Sequence, residues 1–208
     1  NPAGKADSNN EEGWNLLPDG TFLAVDANIQ SQSEIYNPGT NSWGNRTNTQ
    51  VNLADRNILG GSAEVGPGVL RPDGTVIYFS GNSLGQNAVY NFIANNGNAA
   101  GTWVNTAAMN FPAANPQDAV ADGPASLLPD GHVLVMASPV TNANPFNAPS
   151  NFYEFDGTNT TQVTDSPNAN SFISYQGRMI MLPTGEVLFT AFDQGGTRTV
   201  ATYSNGNG

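Results

Sequence analysis

Four times along this chain the same turn recurs in nearly the same phrase: Leu17-Pro18-Asp19-Gly20, Arg71-Pro72-Asp73-Gly74, Leu128-Pro129-Asp130-Gly131 and Leu182-Pro183-Thr184-Gly185. The prolines at 18, 72, 129 and 183 are spaced by 54, 57 and 54 residues, which marks one supersecondary unit copied and stacked. In such a phrase Pro presets φ, Asp accepts nearby backbone N–H groups and Gly takes positive φ, so each copy predicts a tight hairpin.

The run after each turn is apolar and short: Thr21 to Val25, Thr75 to Phe79, His132 to Met136 and Glu186 to Thr190. An uninterrupted apolar run of this length predicts a strand buried on both faces, because a sheet with one wet face would alternate. A third strand is predicted around Tyr36, Tyr90, Phe155 and Tyr203, and a fourth near Trp43, Trp103 and Val163, with none after Tyr203. The third copy carries a longer loop over 139–150, whose three prolines exclude a helix and most strand pairing.

Four antiparallel strands per unit at this period predict an all-β chain of β-propeller blades. One region spans 1–208, with blades at approximately 11–50, 60–108, 118–166 and 171–208. The stretch from Tyr36 through Asn37, Pro38 and Gly39 to Trp43 resembles the Tyr-to-Trp portion of a kelch repeat. The Leu-Pro-Asp-Gly hairpin with its apolar strand is similar to that of the galactose-oxidase-like kelch proteins, and the likeness runs from about Glu12 to Tyr203. The glycine pair of a kelch repeat is missing after the second strand, where Asp26-Ala27-Asn28, Ser80-Gly81-Asn82, Ala137-Ser138 and Ala191-Phe192-Asp193 stand, so the repeats are degenerate. The resemblance implies closure with six or seven blades. This chain supplies four, the last without an outer strand, and residues 1–10 read as the tail of an earlier blade. A segment of a larger propeller is therefore expected, with completion by self-assembly or a compact four-bladed ring as the other closures.

Charged residues make up only 11% of the chain, and 17 acids against six bases leave a net charge of −11. That charge opposes nucleic acid and anionic lipid, and no apolar stretch is long enough to span a bilayer. The absence of Cys excludes disulfides and thiolate sites. Copper-radical oxidase chemistry, which the resemblance invites, needs a Cys-linked Tyr and two His, whereas this chain has one His. The sequons at Asn45 and Asn159, with an Asn- and Thr-rich composition, read as a secreted or extracellular protein carrying N-glycans.

Before each innermost strand an acid or amide precedes a glycine: Glu12-Gly13, Glu64-Val65-Gly66, Asp122-Gly123 and Gln176-Gly177. In a propeller these positions meet at the channel mouth, where Glu12, Glu64 and Asp122 would bind Ca²⁺ or, with Gln176 and Arg178, a polyhydroxylated ligand; Glu11 lies beside them. The same positions also suit a structural role, with Gly relieving crowding and the carboxylates accepting backbone hydrogen bonds. Tyr175 and Phe146 fall off the repeat pattern and are ligand-contact candidates, whereas Trp14, Trp43, Trp103, Tyr36, Tyr78 and Tyr90 keep fixed offsets that predict packing between blades. Asp118 with Asp122 is a candidate carboxyl pair in a loop. The expected function is a non-catalytic binding or assembly module whose partner is a glycan, a protein or another copy. A carbohydrate-active hydrolase, lyase or oxidase with part of its site on further blades is the alternative.

Overall fold

A computed structural model describes residues 3–8, 11–55, 64–92, 101–114, 117–141, 144 and 146–206. Positions 60–63 of the second expected unit, 207–208 of the fourth, 142, 143 and 145 of the proline-rich loop, and 1, 2, 9 and 10 lie outside them. The chain is all-β, built of curled antiparallel sheets. The first sheet holds β1 (Trp14–Leu16), β2 (Phe22–Val25), β3 (Gln32–Asn37) and β4 (Ser42–Asn48), paired in that order. A ribbon of β5 (Ala54–Asp55) and β6 (Glu64–Val65) follows. The second sheet is β7 (Gly68–Leu70), β8 (Thr75–Tyr78), β9 (Ala88–Asn91) and β10 (Thr102–Val104). The third joins β11 (Asp118–Ala119) and β12 (Ala125–Leu127) to opposite ends of one edge of β13 (Val133–Pro139), then β14 (Asn151–Phe155) and β15 (Thr160–Gln162). The fourth has three strands, β16 (Gly177–Met181), β17 (Val187–Phe192) and β18 (Arg198–Tyr203).

The repeated phrase closes the first hairpin of every sheet in one geometry. The Leu17 N–H donates to Thr21 O at 2.8 Å and Gly20 N–H to Leu17 O at 2.9 Å; the same pair of bonds recurs at Arg71 and Gly74, Leu128 and Gly131, and Leu182 and Gly185. The four glycines sit at φ between +83° and +87°, the left-handed region that a three-residue hairpin with a glycine bulge demands. Asp19, Asp73 and Asp130 each accept the backbone N–H two residues on, which fastens the turn to its second strand. The turns also touch: Gly131 faces the Pro72 ring, Gly185 faces Pro129, and the Arg71 guanidinium donates to Gly131 O at 3.0 Å.

Sheets stack face to face in chain order, with β1 against β7, β7 against β12 and β12 against β16. Between the first and second sheets lie Leu23, Val25, Ile35, Val76, Tyr78 and Trp103. Ile77, Phe79, Val133, Val135, Tyr153 and Phe155 fill the next interface, and Leu134, Met136, Phe152, Val187 and Phe189 the third. Alternate residues of β8 and β13 thus enter two different cores, which is why their apolar runs are unbroken. The large polar aromatics inside these layers are paired: Tyr78 donates to Gly13 O at 3.1 Å and accepts from Asn15 at 2.8 Å, and the Trp103 indole N–H reaches Ser33 Oγ at 2.9 Å.

Three expectations need correction. The run Glu186 to Thr190 is not buried on both faces: Val187, Phe189 and Ala191 enter the third interface, while Leu188, Thr190 and Phe192 point to an uncovered side. Trp14, Tyr36 and Trp43 do not pack between sheets. With Phe22 they line the other face of the first sheet, edge to edge, the two tryptophans 5.2 Å apart. Val163 lies just past the fourth strand of the third sheet rather than beginning it.

Candidate functional site

Residues 3–8, expected as a strandless tail, dock on that aromatic face. Ala3 bridges Ser42 in parallel and accepts the Trp43 N–H at 2.8 Å. This brings Lys5 over the Trp43 ring at 5.1 Å and into a ring of four carboxylates. Its Nζ lies 2.7 Å from Asp26, 2.9 Å from Glu34 and 3.2 Å from Glu12, and it also contacts Asp7. Glu34 is held further by the Arg46 guanidinium at 2.7 Å and by the Ala6 N–H. Burial opposes the ionised forms throughout. Ion pairing and hydrogen bonds nevertheless hold Asp7 and Glu34 below their ordinary values, while Glu12, beside Asp7, is pushed up to about 8. Glu12 is therefore largely protonated at neutral pH, which eases the crowding of four acids around one ammonium.

Glu12, expected at a shared carboxylate site, is thus committed to Lys5. Its neighbour Glu11 takes the place beside Glu64 and Asp122: one carboxylate oxygen from each of these three residues lies within 4.8 Å of the others. Glu11 stands at φ +59°, in the left-handed region, and this bend in the backbone accompanies the parting of the two side chains, Glu12 into the Lys5 cage and Glu11 to the other group. Glu64 is placed by β6, where it pairs with Asp55, and by the close approach of Gly81, whose absent Cβ would lie 2.4 Å from Glu64 O. Asp122, at φ +52°, sits in the link between β11 and β12, pinned by Ser174 Oγ donating to Ala121 O at 2.7 Å.

Glu64 is 5% exposed, and its Oε2 has no hydrogen-bond partner among the described residues. Partial burial, then the carboxylates of Glu64 and Glu11, push Asp122 up to about 7 against the pull of the Arg178 guanidinium. Three carboxylates this close are tighter than the roughly 5–10 Å that a glycosidase pair leaves for a sugar and water. The expected pairing of Asp118 with Asp122 does not form, because Asp118 is buried and accepts Tyr153 O–H at 2.5 Å and Asn151 at 2.7 Å.

The remaining candidates divide. Gln176 spends its amide oxygen on the Ile173 N–H at 3.1 Å, closing a 3-10 turn over Ser174–Gln176. Arg178 donates to the Tyr175 and Gly177 carbonyls while its charge reaches Asp122. Tyr175 and Phe146 meet edge to face at 5.0 Å. Tyr175 also borders a groove of about 620 Å³ over the uncovered face of the fourth sheet, with Arg178, Phe192, Arg198 and Val200. Asn159 is exposed and donates to Asp156 at 3.0 Å, and Asn45 is half-buried at φ +50°.

His132 gains partners that its sequence position did not suggest. Its Nδ1 lies 2.5 Å from Glu154, which also accepts Tyr203 O–H at 2.6 Å, while Asn205 donates to Asp130 at 2.8 Å. This His-and-acid group is closed by its own donors and joins the third sheet to the fourth. Lys5, Asp7, Asp26 and Glu34 were not legible as a group, since only the docking of residues 3–8 gathers them.

Among the described residues no helix is long and apolar enough to cross a membrane. No family model matches the sequence, and no curated protein matches it. Solved structures do resemble it at low identity. A provisionally named exo-β-1,3-galactanase from Bifidobacterium bifidum is 13% identical, with 93% of this chain and 66% of that one covered at a TM-score of 0.43. A triple arginine-to-alanine mutant of AofleA from Arthrobotrys oligospora is 14% identical, with 93% and 57% covered at a TM-score of 0.44. The chain spans less than two thirds of the length of either protein.

Proposed function

We propose that this chain is a four-blade stretch of a kelch-like β-propeller serving as a non-catalytic, extracellular binding or assembly module. Support comes from the ordered contact of β1, β7, β12 and β16, which suits inner strands around an axis, and from hairpin turns that meet at one end. The observation that carries the functional part is the outer face of the fourth sheet. There Ile180, Phe192 and Val200 are 62%, 65% and 73% exposed around the half-buried Leu188, whereas the equivalent faces of the other sheets are covered by the next sheet. A sheet face that exposes large apolar side chains among Arg178, Thr190 and Arg198 is an association surface. Its occupant, by continuity with three interfaces of the same construction, is another sheet of the same repeat.

In a preparation of the 208-residue chain alone, that occupant is the first sheet of a second copy, which offers the exposed Trp14 and Leu16. Sedimentation equilibrium tests this. The expected result is concentration-dependent association, abolished in Phe192→Asp/Val200→Asp with the circular dichroism spectrum retained. A chain that remains monomeric at high concentration and binds no hydrophobic dye overturns the reading.

A further inference from the structure

Among the described residues two groups of acids crowd three or more carboxylates together, and they differ in what stands between the acids. Asp7, Glu12, Asp26 and Glu34 surround an internal cation, the Lys5 ammonium, at hydrogen-bonding distance. Among the described residues no ammonium or guanidinium pairs with Glu11, Glu64 or Asp122: the Arg178 guanidinium acts on Asp122 through its field, while its hydrogen bonds go to the Tyr175 and Gly177 carbonyls. Within this second group Glu64 is 95% removed from solvent and keeps an oxygen with no donor. A buried carboxylate oxygen left without a donor is destabilising unless something else meets its charge.

We infer that Glu11, Glu64 and Asp122 bind one calcium ion, which takes the place that Lys5 fills in the other group. The ligand atoms are all carboxylate oxygens, the donor set of a hard cation, with neither imidazole nor thiolate to favour zinc or copper. Three oxygens mutually within 4.8 Å lie inside the span that a central ion permits, since two ligands at about 2.4 Å from Ca²⁺ are at most about 4.8 Å apart. Calcium suits a group drawn from three separate links better than magnesium, which demands near-ideal octahedral geometry. The three residues come from the segments leading into the first, second and third sheets, so a bound ion ties three units together at one end. This inference stands apart from the reading of the fourth sheet's outer face.

The test is isothermal titration of chelator-treated 208-residue protein with CaCl₂, with MgCl₂ as comparator, alongside thermal unfolding. Calcium is expected to bind with a stoichiometry near one and to raise the melting temperature by about 5–10 °C when the free ion exceeds Kd by about a hundredfold. Glu64→Gln should lose the binding heat and the shift. Glu11→Gln, at an exposed position, keeps the fold and should weaken binding at least tenfold, so a failure of Glu64→Gln to fold leaves the question answerable. No calcium heat from the parent protein at millimolar ion overturns the inference, as does unchanged affinity in Glu11→Gln. Equal affinity for magnesium overturns the choice of calcium.

Discussion

Replacing Lys5 by Met tests whether a single ammonium anchors residues 3–8 to the first sheet. Met preserves most of the length and packing over Trp43 while removing the charge. Asp7, Asp26 and Glu34 would then face one another with only Arg46 as counter-charge, Glu12 already being largely protonated. Deleting one partner of a buried ion pair costs about 3–5 kcal/mol, which for a chain of this size lowers the melting temperature by roughly 6–20 °C. The pH dependence has a definite sign. In the parent protein the Lys5 pKa is raised: burial opposes this, but its bonds to Asp26, Asp7 and Glu34 prevail. Its stabilisation is therefore fully present below the unfolded value of 10.5 and constant through neutrality. In the variant the carboxylates lose their cation, and their folded-state pKa values rise. The folded state then takes up protons as the pH falls, so the deficit should be largest near pH 8.5 and shrink near about pH 5.5. Urea midpoints at the two pH values measure it. A loss under about 1 kcal/mol, the level of an exposed pair, would refute the cage, and so would an equal loss at both pH values.

The Glu12→Gln variant addresses the same cage from the other side. With a folded pKa of about 8 against 4.5 unfolded, Glu12 retains a proton that the unfolded chain has lost, so its contribution falls as pH rises between those values; Gln should flatten this slope in melting temperatures taken across the window. In the turns, Gly74→Ala meets open space at φ +85° and should cost only the conformational penalty of about 1–2 kcal/mol, read from the denaturant midpoint. Gly66→Ala should cost more than that, because its Cβ would fall 2.2 Å from Phe79 O. Tyr78→Phe removes the donor to Gly13 O and the acceptor for the buried Asn15 amide, and is expected to lose about 1–3 kcal/mol in the same assay.

Features governed by local chemistry were legible in the chain itself. The four glycines at positive φ follow from their place after Pro-Asp or Pro-Thr, and the double burial of β8 and β13 follows from their unbroken apolar runs. Continuous hydrophobicity misled at β17, because Leu188 and Phe192 have the composition of core residues but no sheet packs on them in this chain. At the acidic sites the composition was readable and the partner was not. Whether Glu11 or Glu12 joins Glu64 depends on one backbone angle and on an ammonium seven residues before Glu12, drawn in by the bridge from Ala3 to Ser42. Such groupings are set by long-range docking, and residue spacing carries no record of them.

The seating of Pro72 on Gly131, and of Pro129 on Gly185, gives each of these turns a convex ring on one flank and bare backbone on the other. The third turn bears both shapes in contact, its glycine under Pro72 and its proline over Gly185, so the contacts there run head to tail and a unit of this form is complementary to its own duplicate. Gain or loss of one repeat leaves the fit between the remaining neighbours intact. The number of sheets in such an architecture can therefore change by whole-unit duplication, with no new interface to be invented.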